Sequence, residues 1–227
     1  MISRLEDKYA ISDTNKDLIV NSLSEKGVVL IKTATYRISS VYYDTTDLTF
    51  AMQNLLGVSP RKKYRIRMYA DENSSPNIIS ENFFCEEKNK KASQVSKNRI
   101  SCQIKNCVSI NEFLKQDTRA NALFHSRFVS HFPVLINCTP SMLTSYVRSR
   151  YSILGSLDEI TIDNNLSFTH PSNVSSPVKN DNLTIVEHKY NKNSNLKVGV
   201  SLRDYAVRGR FSKYLYTLNC FGLLTEY

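Results

Sequence analysis

Glycine and proline are scarce, six of each in 227 residues. That scarcity excludes collagen-like and low-complexity chains. No apolar run approaches the roughly 18 residues that a membrane-spanning helix needs. The densest short stretch, Val28-Val29-Leu30-Ile31, is far too brief. The segment Met1-Ile2-Ser3-Arg4-Leu5-Glu6 has no apolar core, so no signal peptide is expected. There is no Gly-x-x-x-x-Gly-Lys loop and no Gly-x-Gly-x-x-Gly turn. A phosphate cradle of glycine-rich backbone is thereby excluded, and any bound phosphate must be held by side-chain cations. The five cysteines (Cys85, Cys102, Cys107, Cys138, Cys220) are odd in number and contain no Cys-x-x-Cys. Reduced thiols in a cytoplasmic protein are expected. His125, His131, His170 and His188 show no metal-ligand spacing with one another or with the cysteines, so no zinc site is expected.

What the sequence has in quantity is positive charge. Lys+Arg number 30 against 21 Asp+Glu, a formal net charge of +9. Such an excess implies an anionic partner: nucleic acid, a membrane surface or a phosphate compound. Hydrophobic residues make up 41% and aromatics 10%, enough for a packed core. The length suits a single domain over 1–227.

Periodicity places the elements. Strands are expected at Arg4–Ala10, in one or two pieces over Val28–Tyr43, and at Arg61–Tyr69, Phe83–Lys91, Lys97–Ile104, Ser145–Ile153, Glu159–Asp163 and Thr184–Tyr190. A helix capped by Asp13 carries Leu18, Ile19 and Leu23 and stops at Gly27. A short helix spans Leu48–Leu56, and another starts at Ser109 and runs through Leu114. Arg119–Phe132 places Ala122, Leu123, Phe128, Val129 and Phe132 on one stripe, and Phe211–Phe221 closes the chain as a helix. His170–Asn182 reads as a loop. The class is α+β, with a mainly antiparallel sheet of about eight strands.

Side chains alternate across a strand, so each strand can be split into two faces. Lys63, Arg65 and Arg67 share a face, opposite Tyr64, Ile66 and Met68. Glu86, Lys88 and Lys90 share another, as do Lys97 with Arg99, Tyr146 with Arg148 and Arg150, Glu187 with Lys189, and Arg4 with Glu6 and Lys8. One such strand is equally a solvated face of an antiparallel sheet. Six with the same cation-rich chemistry point to a lining. If the sheet closes, the lining is a basic bore in which like charges repel until a polyanion fills it, and the few carboxylates suit a divalent metal. The aromatics lie mostly on the opposite faces, which speaks against a nucleic-acid surface.

These strands, in this order, resemble the VTC (vacuolar transporter chaperone) polyphosphate polymerase branch of the triphosphate tunnel metalloenzymes. Arg4-x-Glu6-x-Lys8-Tyr9 is similar to that superfamily's Glu-x-Glu-x-Lys signature. Tyr36-x-Ile38-x-Ser40-x-Tyr42-Tyr43-Asp44-Thr45 and Lys63-x-Arg65-x-Arg67-x-Tyr69 follow, then Glu86-x-Lys88, Lys97-x-Arg99 and Tyr146-x-Arg148. Thr161-x-Asp163, Glu187-x-Lys189-Tyr190 and Ser212-Lys213-Tyr214 complete the series. The resemblance implies an eight-stranded antiparallel β-barrel with flanking helices, a tunnel that moves the γ-phosphate of ATP onto a growing inorganic polyphosphate chain. It implies that Arg65, Arg67, Lys88, Arg148 and Lys213 bind phosphates, that Lys8 sits near the transferred phosphate, and that Lys97 contacts the chain. Arg99, Lys189, Ser212 and a hydrogen bond from Tyr146 add to substrate binding. Glu187, with Glu6 and Glu86 as helpers, would hold Mn²⁺ or Mg²⁺. A tunnel triphosphatase acting on ATP or tripolyphosphate, and a non-catalytic polyphosphate-binding module, are the alternatives. One departure stands out: Glu159 occupies a position where the family usually has a phosphate-binding Arg. It would weaken triphosphate binding, add a metal ligand, or pair with Arg148 or Arg150.

Overall fold

The computed structural model describes residues 4–13, 16–25, 28–74, 78–79, 82–92, 94–103, 108–109, 119–171, 179–191, 194, 198, 202, 206–209 and 211–224. Its strands are β1 (Arg4–Ser12), β2 (Leu30–Asp44), β3 (Arg61–Ala70), β4 (Ile78–Ile79), β5 (Asn82–Lys91), β6 (Gln94–Gln103), β7 (Val108–Ser109), β8 (Thr139–Ile153), β9 (Glu159–Thr169), β10 (Lys179–Asp181), β11 (Leu183–Asn191) and β12 (Val207–Arg208). Its helices are α1 (Lys16–Glu25), α2 (Thr49–Leu55), α3 (Arg119–His131) and α4 (Lys213–Cys220), with a 3-10 turn at Pro133–Asn137. The class is α+β with a mostly antiparallel sheet, as the alternation predicts.

Every long strand expected from the sequence is present; β4, β7, β10 and β12 are extra, at two or three residues each. Strands that short have no period to detect. The main sheet has ten strands in the order β12-β1-β11-β9-β8-β2-β3-β5-β6, with β10 on β9, and β4-β7 forms a separate pair. Where a closed eight-stranded barrel was expected, this order has two ends, β12 and β6, with no pairing between them among the described residues. Ser109 falls in β7 instead of capping a helix, and the rest of that expected helix lies outside the described residues. Part of the expected loop over 170–182 is β10, and 172–178 lie outside the described residues.

The chain forms two compact units. The first is Met1–Arg37, Tyr146–Leu166 and Asn180–Phe211; the second is Ile38–Ser145, Ser167–Lys179 and Ser212–Tyr227. In the first, Ile19 and Leu23 of α1 pack on Tyr9, Ile160, Ile162 and Val186 from the sheet. Four-residue spacing puts that pair on one helix face. In the second, α3 lays Phe124, Phe128 and the following Phe132 against Tyr43, Tyr64, Ile66 and Phe83. The expected stripe through Ala122 is corrected: Ala122 is exposed and Phe124 leads the buried row. A smaller core holds Tyr42, Ala51, Met142, Tyr214 and Leu218. In each unit the apolar alternates of the strands are consumed by packing, which commits the charged alternates to the other face.

Candidate functional site

In the second unit, register decides which charges meet. Arg65 on β3 stands opposite Glu86 on β5, and Glu86 stands opposite Arg99 on β6. Arg65 Nη2 lies 2.8 Å from Glu86 Oε2, and Arg99 Nη2 lies 2.6 Å from Oε1. Lys97 Nζ reaches Oε1 at 2.6 Å and Arg67 Nε lies 3.9 Å from Oε2. One carboxylate, 1% exposed, thus serves four cations. Burial by itself works to raise the Glu86 pKa, but the guanidinium groups of Arg65 and Arg67, with Lys97, outweigh it and bring it down to about 2. Lys97 is pushed down to about 8, first by burial and then by Arg65 and Arg67, against the pull of Glu86.

The neighbouring cross-strand row is Lys63, Lys88 and Lys97, three cations in register. Like charges placed directly opposite destabilise a sheet. Lys63 Nζ donates to Ser212 Oγ at 2.7 Å. Ser212 also caps α4, accepting from Leu215 N at 3.4 Å, so Lys213 begins the helix. Arg67 donates from Nε to Ser40 Oγ at 3.2 Å, and Arg99 lies over the Phe84 ring, 4.4 Å from its centroid.

The first unit has a different balance. Lys8 Nζ lies 3.1 Å from both Glu6 Oε1 and Glu187 Oε1. Burial works to lower the Lys8 pKa, yet Glu187 and Glu6 hold it above the ordinary lysine range. Arg148 grips Asp163 with both arms, Nε to Oδ1 at 2.5 Å and Nη2 to Oδ2 at 2.6 Å, and its Nη2 lies 3.4 Å from Glu187 Oε2. Its guanidinium carbon sits 5.5 Å from the Tyr146 ring centroid. Glu159 Oε2 accepts from Arg150 Nε at 3.0 Å, and Oε1 lies 3.5 Å from Lys189 Nζ. Here the cations Lys8, Arg148, Arg150 and Lys189 meet the carboxylates Glu6, Asp163, Glu187 and Glu159 one for one.

The expected site residues therefore sort by unit. Glu6, Lys8, Tyr146, Arg148, Glu187 and Lys189 fall in the first, and Arg65, Arg67, Glu86, Lys88, Lys97, Arg99, Ser212 and Lys213 in the second. Of the alternatives for Glu159, the structure gives pairing with Arg150, and adds Lys189. Two residues that bear on the site were given no role from the sequence. Asp163 is fully buried under Arg148; its alternation with Thr161 and Glu159 was the signal. Tyr42 is the other: burial works to raise its phenol pKa, but the charges of Arg65, Arg67 and Lys213 bring it below the ordinary tyrosine value. Its two-residue spacing from Ser40, which meets Arg67, was the available clue. Two carboxylates around one ammonium, at Lys8, form a hard-oxygen donor pair of the kind that holds a divalent ion together with substrate phosphates. Among the described residues no group of three or more His, Cys, Asp or Glu gathers for a metal.

The VTC domain family model matches residues 3–221 and so runs through both units. No curated protein matches the sequence. Among solved structures, the PH1819 protein from Pyrococcus horikoshii OT3 superposes with a TM-score of 0.51 at 12% identity, covering 96% of this chain and 98% of that one. A Vibrio parahaemolyticus protein described as a candidate adenylate cyclase gives 0.49 at 12% identity, covering 94% and 96%. A candidate adenylyl cyclase from Hippeastrum, described as having a dominant triphosphatase activity, gives 0.46 at 14% identity, covering 98% and 97%. At these identities the Pyrococcus likeness is one of fold.

Proposed function

Since the chain belongs to the VTC domain family, we propose that it is a metal-dependent phosphotransferase that moves the γ-phosphate of ATP onto inorganic polyphosphate. The observation that carries this reading is the Glu86 cluster, where Arg65, Arg67, Lys97 and Arg99 share a single carboxylate. Four cations converging on one carboxylate suit a polyanion. The sheet would close to form the phosphate tunnel of the family, within one cytoplasmic catalytic domain.

In the reaction, a terminal oxygen of the polyphosphate acceptor attacks the γ-phosphorus. A new P–O bond forms, the bond from that phosphorus to the oxygen bridging the β-phosphate breaks, and ADP leaves with the electron pair. The attacking oxygen is already ionised near neutral pH, so no strong base is needed. The work left to the protein is alignment and charge neutralisation. Arg65, Arg67 and Arg99 supply planar forks that each grip two phosphate oxygens, while Lys88, Lys97 and Lys213 act as point charges. Ser212 and Lys189 assist binding. Lys8 faces the transferred phosphate, Arg148 is held rigid by Asp163 to bind another, and Tyr146 offers a hydrogen bond. Glu187 and Glu6 would hold Mn²⁺ or Mg²⁺, which would supply positive charge to offset that of the substrate phosphates. Glu86, first grouped with these ligands, is enclosed by cations and takes a charge-setting role instead.

A second reading, a triphosphatase in which water replaces the polyphosphate acceptor, is favoured by Glu159, which engages Arg150 and Lys189. One assay separates the readings. Purified protein with ATP and Mn²⁺ should yield long polyphosphate on a gel together with ADP. Orthophosphate alone means hydrolysis, and triphosphate binding without turnover means a passive binding module. Arg65→Ala and Lys213→Ala should each lower turnover by about a hundredfold or more without unfolding the chain. Wild-type rates in either would place the reaction elsewhere.

A further inference from the structure

The cross-strand row that follows Lys63, Lys88 and Lys97 ends on an apolar side chain. Arg61 on β3 stands opposite Lys90 on β5, and Lys90 stands opposite Val95 on β6. The turn that leads from α2 into β3 lies at the same end. Ser59 Oγ accepts from Ala92 N at 2.9 Å, so this turn meets the one between β5 and β6. Arg61 Nη1 donates to Val58 O at 3.0 Å and holds the turn closed. The result is a tip on which Leu55, Leu56, Val58 and Val95 are 43%, 66%, 44% and 53% exposed. A Cβ added at Gly57, which has φ +72°, would meet nothing within 4 Å, so the turn stands clear of its surroundings. Single surface leucines are ordinary, but four apolar side chains at one tip form a patch.

The charges beside this tip have one sign. Residues 61–63, 88–91 and 94–97, the strand ends that meet there, include seven Lys or Arg and no Asp or Glu. The adjoining carboxylate, Glu87, is engaged by Lys62 Nζ at 3.0 Å and by the Tyr64 hydroxyl at 2.7 Å. Lys91, which ends β5, is exposed. Protruding leucine and valine side chains beside a cationic rim fit a phase that is apolar inside and anionic at its surface. We propose that this tip attaches the chain to the surface of an anionic phospholipid bilayer. Leu56 and Val58 enter the boundary between headgroups and acyl chains, and Arg61, Lys90 and Lys91 meet the lipid phosphates. An acidic protein would suit the cations, but a protruding turn offers it no groove in which to bury an apolar helix face. The attachment is peripheral, since no helix among the described residues is long and apolar enough to cross a bilayer. It is therefore reversible and weakened by salt. It goes beyond the phosphotransferase reading and does not depend on it.

The full chain contains no tryptophan, so Leu56→Trp supplies a single fluorescent reporter. The probe is a vesicle of phosphatidylcholine with about one third phosphatidylserine. On adding it, the Leu56→Trp emission should shift to the blue and resist quenching by acrylamide. Gln103→Trp, an exposed position at the other end of β6, should do neither. Wild type should sediment with these vesicles and not with phosphatidylcholine alone, and less of it should do so as salt rises. Leu56→Ser/Val58→Ser should lower the partition coefficient about tenfold, and Lys90→Gln/Lys91→Gln should do the same. Both serine sites are exposed, so that variant should keep the wild-type melting temperature and its affinity for tripolyphosphate in solution. Failure of wild type to bind the anionic vesicles overturns the proposal. So does equal binding by the serine variant, or a blue shift in Gln103→Trp as large as in Leu56→Trp, which would put the contact elsewhere. A concentration-dependent dimer abolished by the two serines would mean that a second copy covers the tip, and would overturn it as well.

Discussion

Glu86 is the residue on which most of the local electrostatics turns. Its carboxyl is held down at about 2 because it is surrounded by cations despite its burial. A folded-state pKa below the ordinary glutamate value contributes stability that is complete above about 4.5 and is lost as pH falls toward 2. The depression corresponds to roughly 3 kcal/mol. Glu86→Gln should therefore lower unfolding free energy by about that amount at pH 7 and flatten the acid limb between pH 4.5 and 2, as followed by urea titrations at several pH values. Lys97 gives the complementary test. With its pKa brought to about 8, it loses its proton within the working range. Tripolyphosphate affinity, measured relative to Lys97→Arg, should fall as pH rises through 8, because an arginine keeps its charge there. A constant ratio would mean that Lys97 does not touch the ligand. The strand faces that carry these residues were legible in the sequence, since alternation alone sets them. Their partners were not. Which residue stands opposite Glu86 depends on the register of three strands, and β3 and β5 are separated by a connection whose length does not fix it.

At the scale of elements, one buried aspartate ties three together. Asp44 ends β2 and accepts hydrogen bonds from Phe50 N and Ala51 N at the start of α2, both at 2.9 Å. It also receives the Tyr214 hydroxyl from α4. The residue preceding α2 is Leu48, in the left-handed region at φ 56°, which offers no side-chain cap. Asp44 takes over that duty, and its negative charge suits a helix amino end. Because α4 carries Lys213 on its first turn, Asp44 also helps fix where Lys213 sits. Asp44→Asn should cost about 2 to 4 kcal/mol in chemical denaturation, since it removes a charged acceptor from buried donors. Activity should fall with it through the displaced Lys213. A change below about 0.5 kcal/mol would mean that the helices are held by packing alone. This anchor was hidden in the sequence because Asp44 lies six and seven residues from the amides it serves, beyond any local capping pattern. The same limit explains α3: periodicity found the helix, but the phase of its buried row was settled by the bulk of Phe124 against Phe83, a contact between distant segments.

For the whole molecule, the net charge of +9 acquires an address. The carboxylates of the first unit's cluster match its cations, whereas the second unit's cluster keeps an excess. The excess predicts where phosphate is held, and the matched pairs predict where a metal competes with Lys8 for oxygen. The order of nine short motifs was enough to identify the family, because eight of them mark strands of a shared fold and the ninth, Ser212-Lys213-Tyr214, marks the start of α4; the family match over 3–221 agrees with it. The choice between transfer to a phosphate chain and transfer to water was not legible, because both use the same cations and differ only in the acceptor. The most direct measurement follows the phosphorus itself. The protein is incubated with γ-labelled ATP, Mn²⁺ and a short polyphosphate primer, and label is counted in acid-precipitated polymer and in free orthophosphate. Transfer predicts label in the polymer, equal in amount to the ADP released, and its loss in Arg65→Ala. Label found only in orthophosphate, or left entirely in ATP, would contradict it.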